Sequence, residues 1–147
     1  MSRSPVRDAA SGIGRPSVGQ GLLAVAFIAA GVAHLVAPAV YDPAMPPGVP
    51  FPRAMILVSG IAEIAGGIGL LIPSLRVAAG WGLALLLIAV YPANVWMALD
   101  GSAGPSWALW ARLPLQGVLV AVVLRASGAY SMRVNVPGHA NSARARS

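Results

Sequence analysis

Residues 77–99 read VAAGWGLALLLIAVYPANVWMAL, a run of 23 residues without a formal charge. A helix needs about 20 apolar residues to cross the hydrocarbon core of a bilayer. A membrane-barrel strand would be about half as long and would alternate, which GLALLLIAV does not. The run predicts a transmembrane helix.

Three similar stretches surround it. Residues 54–72 lie upstream, beyond Pro73, and contain Glu63; residues 107–124 lie downstream, beyond the break at 101–105, with Arg112 near their start. The first span covers residues 21–37, inside a window from Pro16 to Tyr41 that has no formal charge. A proline-dense loop containing MPPGVPFP separates it from the second. The expected fold is all-α: a four-transmembrane-helix bundle made of two outward-pointing hairpins. The membrane domain would be 21–126, between disordered basic tails at 1–20 and 127–147. Pro92 and Pro114 fall inside spans, where a kink or a ragged end is expected.

Composition agrees with this reading. The chain of 147 residues is 57% hydrophobic and 10% charged, well below the roughly one quarter charged that soluble domains carry. There is no cysteine, so disulfides, thiol redox chemistry and cysteine-ligated metal are excluded. The basic residues are ten arginines, and the net charge is +6. A nucleic-acid binder would gather them on one dense face. Here Arg3, Arg7, Arg15, Arg133, Arg144 and Arg146 sit in the two tails, where anionic lipid is the natural partner.

The same arginines set orientation. With the N-terminus inside, the two tails, Arg76 and Arg125 place eight arginines in the cytoplasm, against Arg53 and Arg112 outside. The positive-inside rule then puts both termini in the cytoplasm. The competing account of the first span is a cleaved signal peptide, with its basic start and the small residues Ala37 and Ala39 after the apolar core. The uncharged window is longer than such a core, which favours retention.

Charge inside a span is costly, so it faces the bundle interior and acts there. Glu63 stands out. It lies roughly 15 Å below Arg53 along one helix at 1.5 Å per residue, too far for a direct pair. Arg112, about one turn into the fourth span, is expected to reach it from another helix, through His34 or directly; otherwise apolar surroundings keep Glu63 protonated. The bland account of Glu63 is a polar staple for helix packing. Ser59, Gly67 and the pair Ala62 and Gly66 read as packing residues that let helices approach.

Arg53 and Arg112 each open a helix from the outer side, where a guanidinium and the free N–H groups of the helix start suit a small anion. The alternative for each is snorkelling to the interface or a pair with Asp42 or Asp100, and it weighs most for Arg53. His34 reads as a proton relay, a donor to a quinone or anion, or a plain interhelical hydrogen bond; Asn94 and Gln116 invite the same readings. No metal set is present, and one histidine in a span cannot supply two haem ligands. Tyr91, Trp96, Trp107 and Trp110 read as an interfacial aromatic belt. His34, Asp42 and Arg53 are echoed by Asn94, Asp100 and Arg112, a weak internal repeat.

GVAHLVAP around His34, MPPGVPFP, SGIAEIAGGIGLL at 59–71, YPANVWMA at 91–98 and RLPLQ at 112–116 together resemble the DoxX family of small four-helix bacterial membrane proteins. The resemblance spans about 21–124; Leu35 stands where an aromatic would be expected. It implies a bacterial inner-membrane protein related to the membrane subunit of a thiosulfate:quinone oxidoreductase. It also implies a polar pocket of His34, Glu63, Asn94, Arg112 and Gln116.

The expected function is therefore a quinone-linked oxidoreductase component with no covalent cofactor. Glu63 and His34 would be catalytic, and Arg112, Arg53, Asn94 and Gln116 would bind. The alternatives are a non-catalytic anchor or scaffold for a soluble redox or detoxification enzyme, and a small transporter.

Overall fold

The computed structural model describes residues 14–101 and 103–129. Most of the two basic tails lies outside them. The four expected spans are helices: α1 (Val18–Val36), α2 (Pro52–Leu71), α3 (Arg76–Asp100) and α4 (Ser106–Ala126). Among the described residues there is no strand. Each of the four is long and apolar enough to cross a membrane, so the chain is read as a multi-pass membrane protein.

Local chemistry explains the boundaries. At the start of α1, Ser17 and Gln20 form a reciprocal capping box, with Gln20 N–H donating to Ser17 Oγ at 3.3 Å and Ser17 N–H to Gln20 Oε1 at 2.8 Å. That cap satisfies orphan N–H groups and starts the helix three residues ahead of the expected position 21. Pro52 opens α2 at the position where its missing N–H costs nothing. Gly101 ends α3 in the left-handed region, φ 71°, which favours glycine. Pro92 and Pro114 do not end their helices; α3 and α4 run on through them.

The proline-dense connection holds an element that the sequence reading missed, a short 3₁₀ helix at Pro38–Ala44. It folds back and contacts α1, α2 and α3.

Each helix packs on the next in sequence, and consecutive helices run antiparallel: Gly67 lies against Ala24 and Ile28, and Gly69 against Ala79. Contact between α1 and α2 is the most extensive, and α4 returns to α1 only sparingly. One link there is Gln20 Nε2 donating to Ala126 O at 2.6 Å. Among the described residues the backbones of α2 and α4 do not approach closely. They stand on a diagonal of the bundle.

Small residues set the spacing. A Cβ on Gly60 would lie 2.7 Å from His34 Cβ and 2.8 Å from Gly31 O, so α1 and α2 cross almost backbone to backbone. Gly66 instead faces Leu83 of α3. At the end of the bundle where α1 starts and α4 ends, Ser127 is buried against Gly80.

Two apolar clusters form the interior. One joins Ala24, Phe27, Leu70, Leu83, Leu87 and Val123; the other joins Ala44, Met97, Ala98 and Leu109. Outside them Leu22, Val25, Val58, Leu85 and Leu115 are each more than half exposed. In water that would be an aggregating surface; in a bilayer it is the lipid-facing coat. A polar cavity lies between the clusters.

Candidate functional site

The cavity has a volume of about 520 Å³, and both clusters contribute to its walls, through Leu87 on one side and Ala44 and Met97 on the other. His34, Glu63, Asn94, Arg112 and Gln116 all line it. Arg53 does not.

His34 enters from the last turn of α1. Its Nδ1–H donates to Ala30 O at 2.8 Å, and its ring stacks on Tyr41 of the 3₁₀ helix, with centroids 3.9 Å apart and planes 17° from parallel. The ring is thereby held on both its edge and its face. Tyr41 was not singled out in the sequence. The available signal was an aromatic seven residues after His34, just past the helix-ending Pro38.

Glu63 lies mid-span on α2. Its Oε2 is 3.4 Å from His34 Nδ1, within ion-pair range. The single hydrogen on Nδ1 is already directed at Ala30 O, the nearer acceptor. Glu63 Oε2 is accordingly buried with no hydrogen-bond partner. A buried polar atom in that condition costs about 1–3 kcal/mol, and the residue that carries it lines the cavity.

Of the alternatives expected for Glu63, the direct pair with Arg112 is not formed. Glu63 sits against His34, and among the described residues it forms no ion pair with Arg112. The reason is geometric. The glycine crossing brings α1 against α2, whereas α4 lies across the diagonal. Arg112 thus lines the far wall with no carboxylate paired to it among the described residues.

Asn94 and Gln116 join α3 to α4. Asn94 Nδ2 donates to Gln116 Oε1 at 2.6 Å, and Gln116 Nε2 donates to Leu87 O. That carbonyl neighbours Ile88 O, which loses its usual donor to Pro92. Gln116 is buried, at 7% exposure. Gln116→Leu should leave the Asn94 amide and the Leu87 carbonyl short of partners. We expect a loss of about 1–3 kcal/mol in an unfolding titration in mixed micelles, with Asn94→Ala costing less.

Arg53 is placed elsewhere: its Nη2 donates to Asp42 Oδ2 at 3.2 Å, and both side chains are about half exposed. Exposed pairs of this kind contribute about 0–1 kcal/mol. Arg53→Ala is expected to change stability by no more than that, and to leave any ligand of the cavity bound, in contrast to Arg112→Leu. Tyr91, Trp107 and Trp110 are exposed and take no part in the cavity. Ser59, read as packing, does line it, while its Oγ–H donates to Ile56 O at 2.8 Å.

Chemically the cavity gathers a carboxylate beside an imidazole, an amide chain, and a guanidinium that pairs with no carboxylate among the described residues. No group of three or more His, Cys, Asp or Glu that could hold a metal occurs among the described residues. The fold and the cavity thus define a small four-helix membrane protein with a polar chamber inside the bundle. The chain belongs to the family described as Domain of unknown function (DUF8561), whose model matches residues 23–127. No curated protein and no solved structure matches it.

Proposed function

We propose that the chain is a DoxX-like membrane component of a quinone-linked oxidoreductase, with the cavity as the site for a quinone head group. The observation that carries this reading is one cavity lined by Glu63, His34, Asn94, Gln116 and an Arg112 that no carboxylate among the described residues neutralises. A head group that presents carbonyls when oxidised and hydroxyls when reduced fits both walls: carbonyls accept from Arg112, and a hydroxyl donates to Glu63. The quinone, when bound, supplies the two-electron couple. The chain's own residues do the rest: Glu63 holds and moves a proton at Oε2 beside the His34 ring, Arg112 binds and orients, and the apolar clusters limit water.

The DoxX resemblance supports a bacterial inner membrane and the arginine distribution supports cytoplasmic termini, which would make the helix pairs outward-pointing hairpins and turn the cavity end outward. A small anionic donor from that side would meet Arg112, since Asp42 already neutralises Arg53. The soluble donor enzyme, where there is one, would dock on the same face.

The test is to purify the protein in lipid nanodiscs and extract the bound quinone. The wild type should retain it, Arg53→Ala should retain it, and Arg112→Leu should lose it. Quinone absent from the wild type, or retained equally by Arg112→Leu, overturns the proposal and leaves the scaffold or transporter reading.

A further inference from the structure

A second concavity of about 480 Å³ lies between α2 and α3. Its walls are Ala54, Met55 and Val58 on α2 with Leu86, Ala89 and Pro92 on α3, and the segment ending at Phe51 covers one end. No charged residue lines it. Met55 and Val58 are 51% and 64% exposed, so in a bilayer the groove is open to lipid.

Its position gives it meaning. Met45, Ser59, Val90 and Ala93 line both the groove and the polar cavity, so a single layer of side chains lies between the two. Ser59 and Ala93 are small, and methionine, with three rotatable bonds, repacks easily. Towards the end of the bundle the cavity reaches Tyr41 and Ala103 and shares Ala44 and Met97 with the second apolar cluster, whereas Ser59, Val90 and Ala93 stand on its α2–α3 side. The thin partition is therefore lateral, towards lipid.

We infer that the ligand of the polar cavity is a chain-bearing amphiphile, which slips in from the bilayer between α2 and α3 and leaves its hydrocarbon chain in this groove. The inference rests on the cavity's role as a head-group site. It adds that the ligand carries a chain and that the α2–α3 seam admits it. The groove selects by shape, because a chain gains little on leaving lipid tails for protein. With the head among Glu63, Arg112 and Gln116, the chain must cross the Ser59 and Ala93 partition, and a filled groove leaves it no place.

Ala54→Phe and Ala89→Phe fill the groove from opposite walls at residues that do not line the cavity. Binding to nanodisc-embedded protein is measured for three probes: the chain-free benzoquinone head of ubiquinone, its decyl homologue, and dodecanoate. Each variant should bind the decyl homologue at least about tenfold more weakly, a change of about 1.4 kcal/mol, and the chain-free head within about twofold of wild type. Comparing proteins with the same probe cancels partitioning into lipid. Unchanged decyl binding in both variants, or an equal loss for the chain-free head, overturns the inference. Dodecanoate separates the two claims. If it alone binds the wild type and is lost in both variants, the groove stands and the quinone reading falls; if no probe binds the wild type, both fall.

Discussion

Replacing Gly60 by leucine is expected to abolish the folded bundle: in detergent the variant should give little or no monodisperse protein, where the wild type gives a single species with a cooperative melt. The added Cβ alone would sit 2.7 Å from His34 Cβ and 2.8 Å from Gly31 O, closer than carbon atoms approach one another. One of the two atoms is backbone, so no rotamer change relieves the contact. Overpacking of side chains against each other costs about 1–3 kcal/mol; pushing two helix backbones apart along their most extensive contact costs more. Gly60→Ala should fold with a lowered midpoint, because the helices can part by a few tenths of an ångström. Even that small parting should open the spacing of His34 and Glu63, which lie on the same two helices next to the crossing. A Gly60→Leu protein that melts like the wild type would show that glycine is not what sets this crossing.

The second large effect is expected at Glu63. Glu63→Gln keeps the shape of the side chain and one carbonyl acceptor, but removes the carboxylate that can take up and release a proton. General acid and base groups contribute about 10²–10⁴-fold to rate. Reduction of the decyl benzoquinone by thiosulfate or a related sulfur donor should fall by about that range, while the melting midpoint stays near that of the wild type. Stability is held because the amide replaces a buried oxygen that already lacks a partner. Full turnover in the Gln variant would reduce Glu63 to a packing staple. A collapsed midpoint together with lost turnover would say the same, since the role would then be structural.

The chain makes some of this arrangement readable in one dimension and hides the rest. A span is a property of consecutive residues, so length, hydropathy and proline placement locate α1 to α4 closely. Polar residues inside spans carry their own penalty, and Glu63, Arg112, His34, Asn94 and Gln116 stand out in the sequence for that reason; all five line one cavity. Who pairs with whom depends on which helices touch and at what height. Gly31 and Gly60 decide that for α1 and α2, but nothing in either stretch names its counterpart. The sequence therefore leaves a direct Arg112 pair, a route through His34 and a protonated Glu63 all open, and the neighbour found at Glu63 is His34. The Pro38–Ala44 turn of 3₁₀ helix, which carries Tyr41 to the histidine ring, is hidden differently. Its prolines mark a loop, and a loop's course follows from what it packs on. Gln20 was legible: Ser17-x-x-Gln20 is a capping box in plain sequence. Its side chain also reaches α4, a contact that no local pattern announces.

The sparse return of α4 to α1 gives the molecule a mechanical character. Three seams follow the chain and hold along it, while the fourth has little adhesion. In engineering terms this is a folded strip whose two edges are pinned where Gln20 meets Ala126, compliant at that joint and stiff at the others. Any breathing that changes the volume of the chamber costs least at that joint. It would swing Arg112 as a movable jaw against His34 and Glu63, which ride together on the glycine-locked pair as the fixed one.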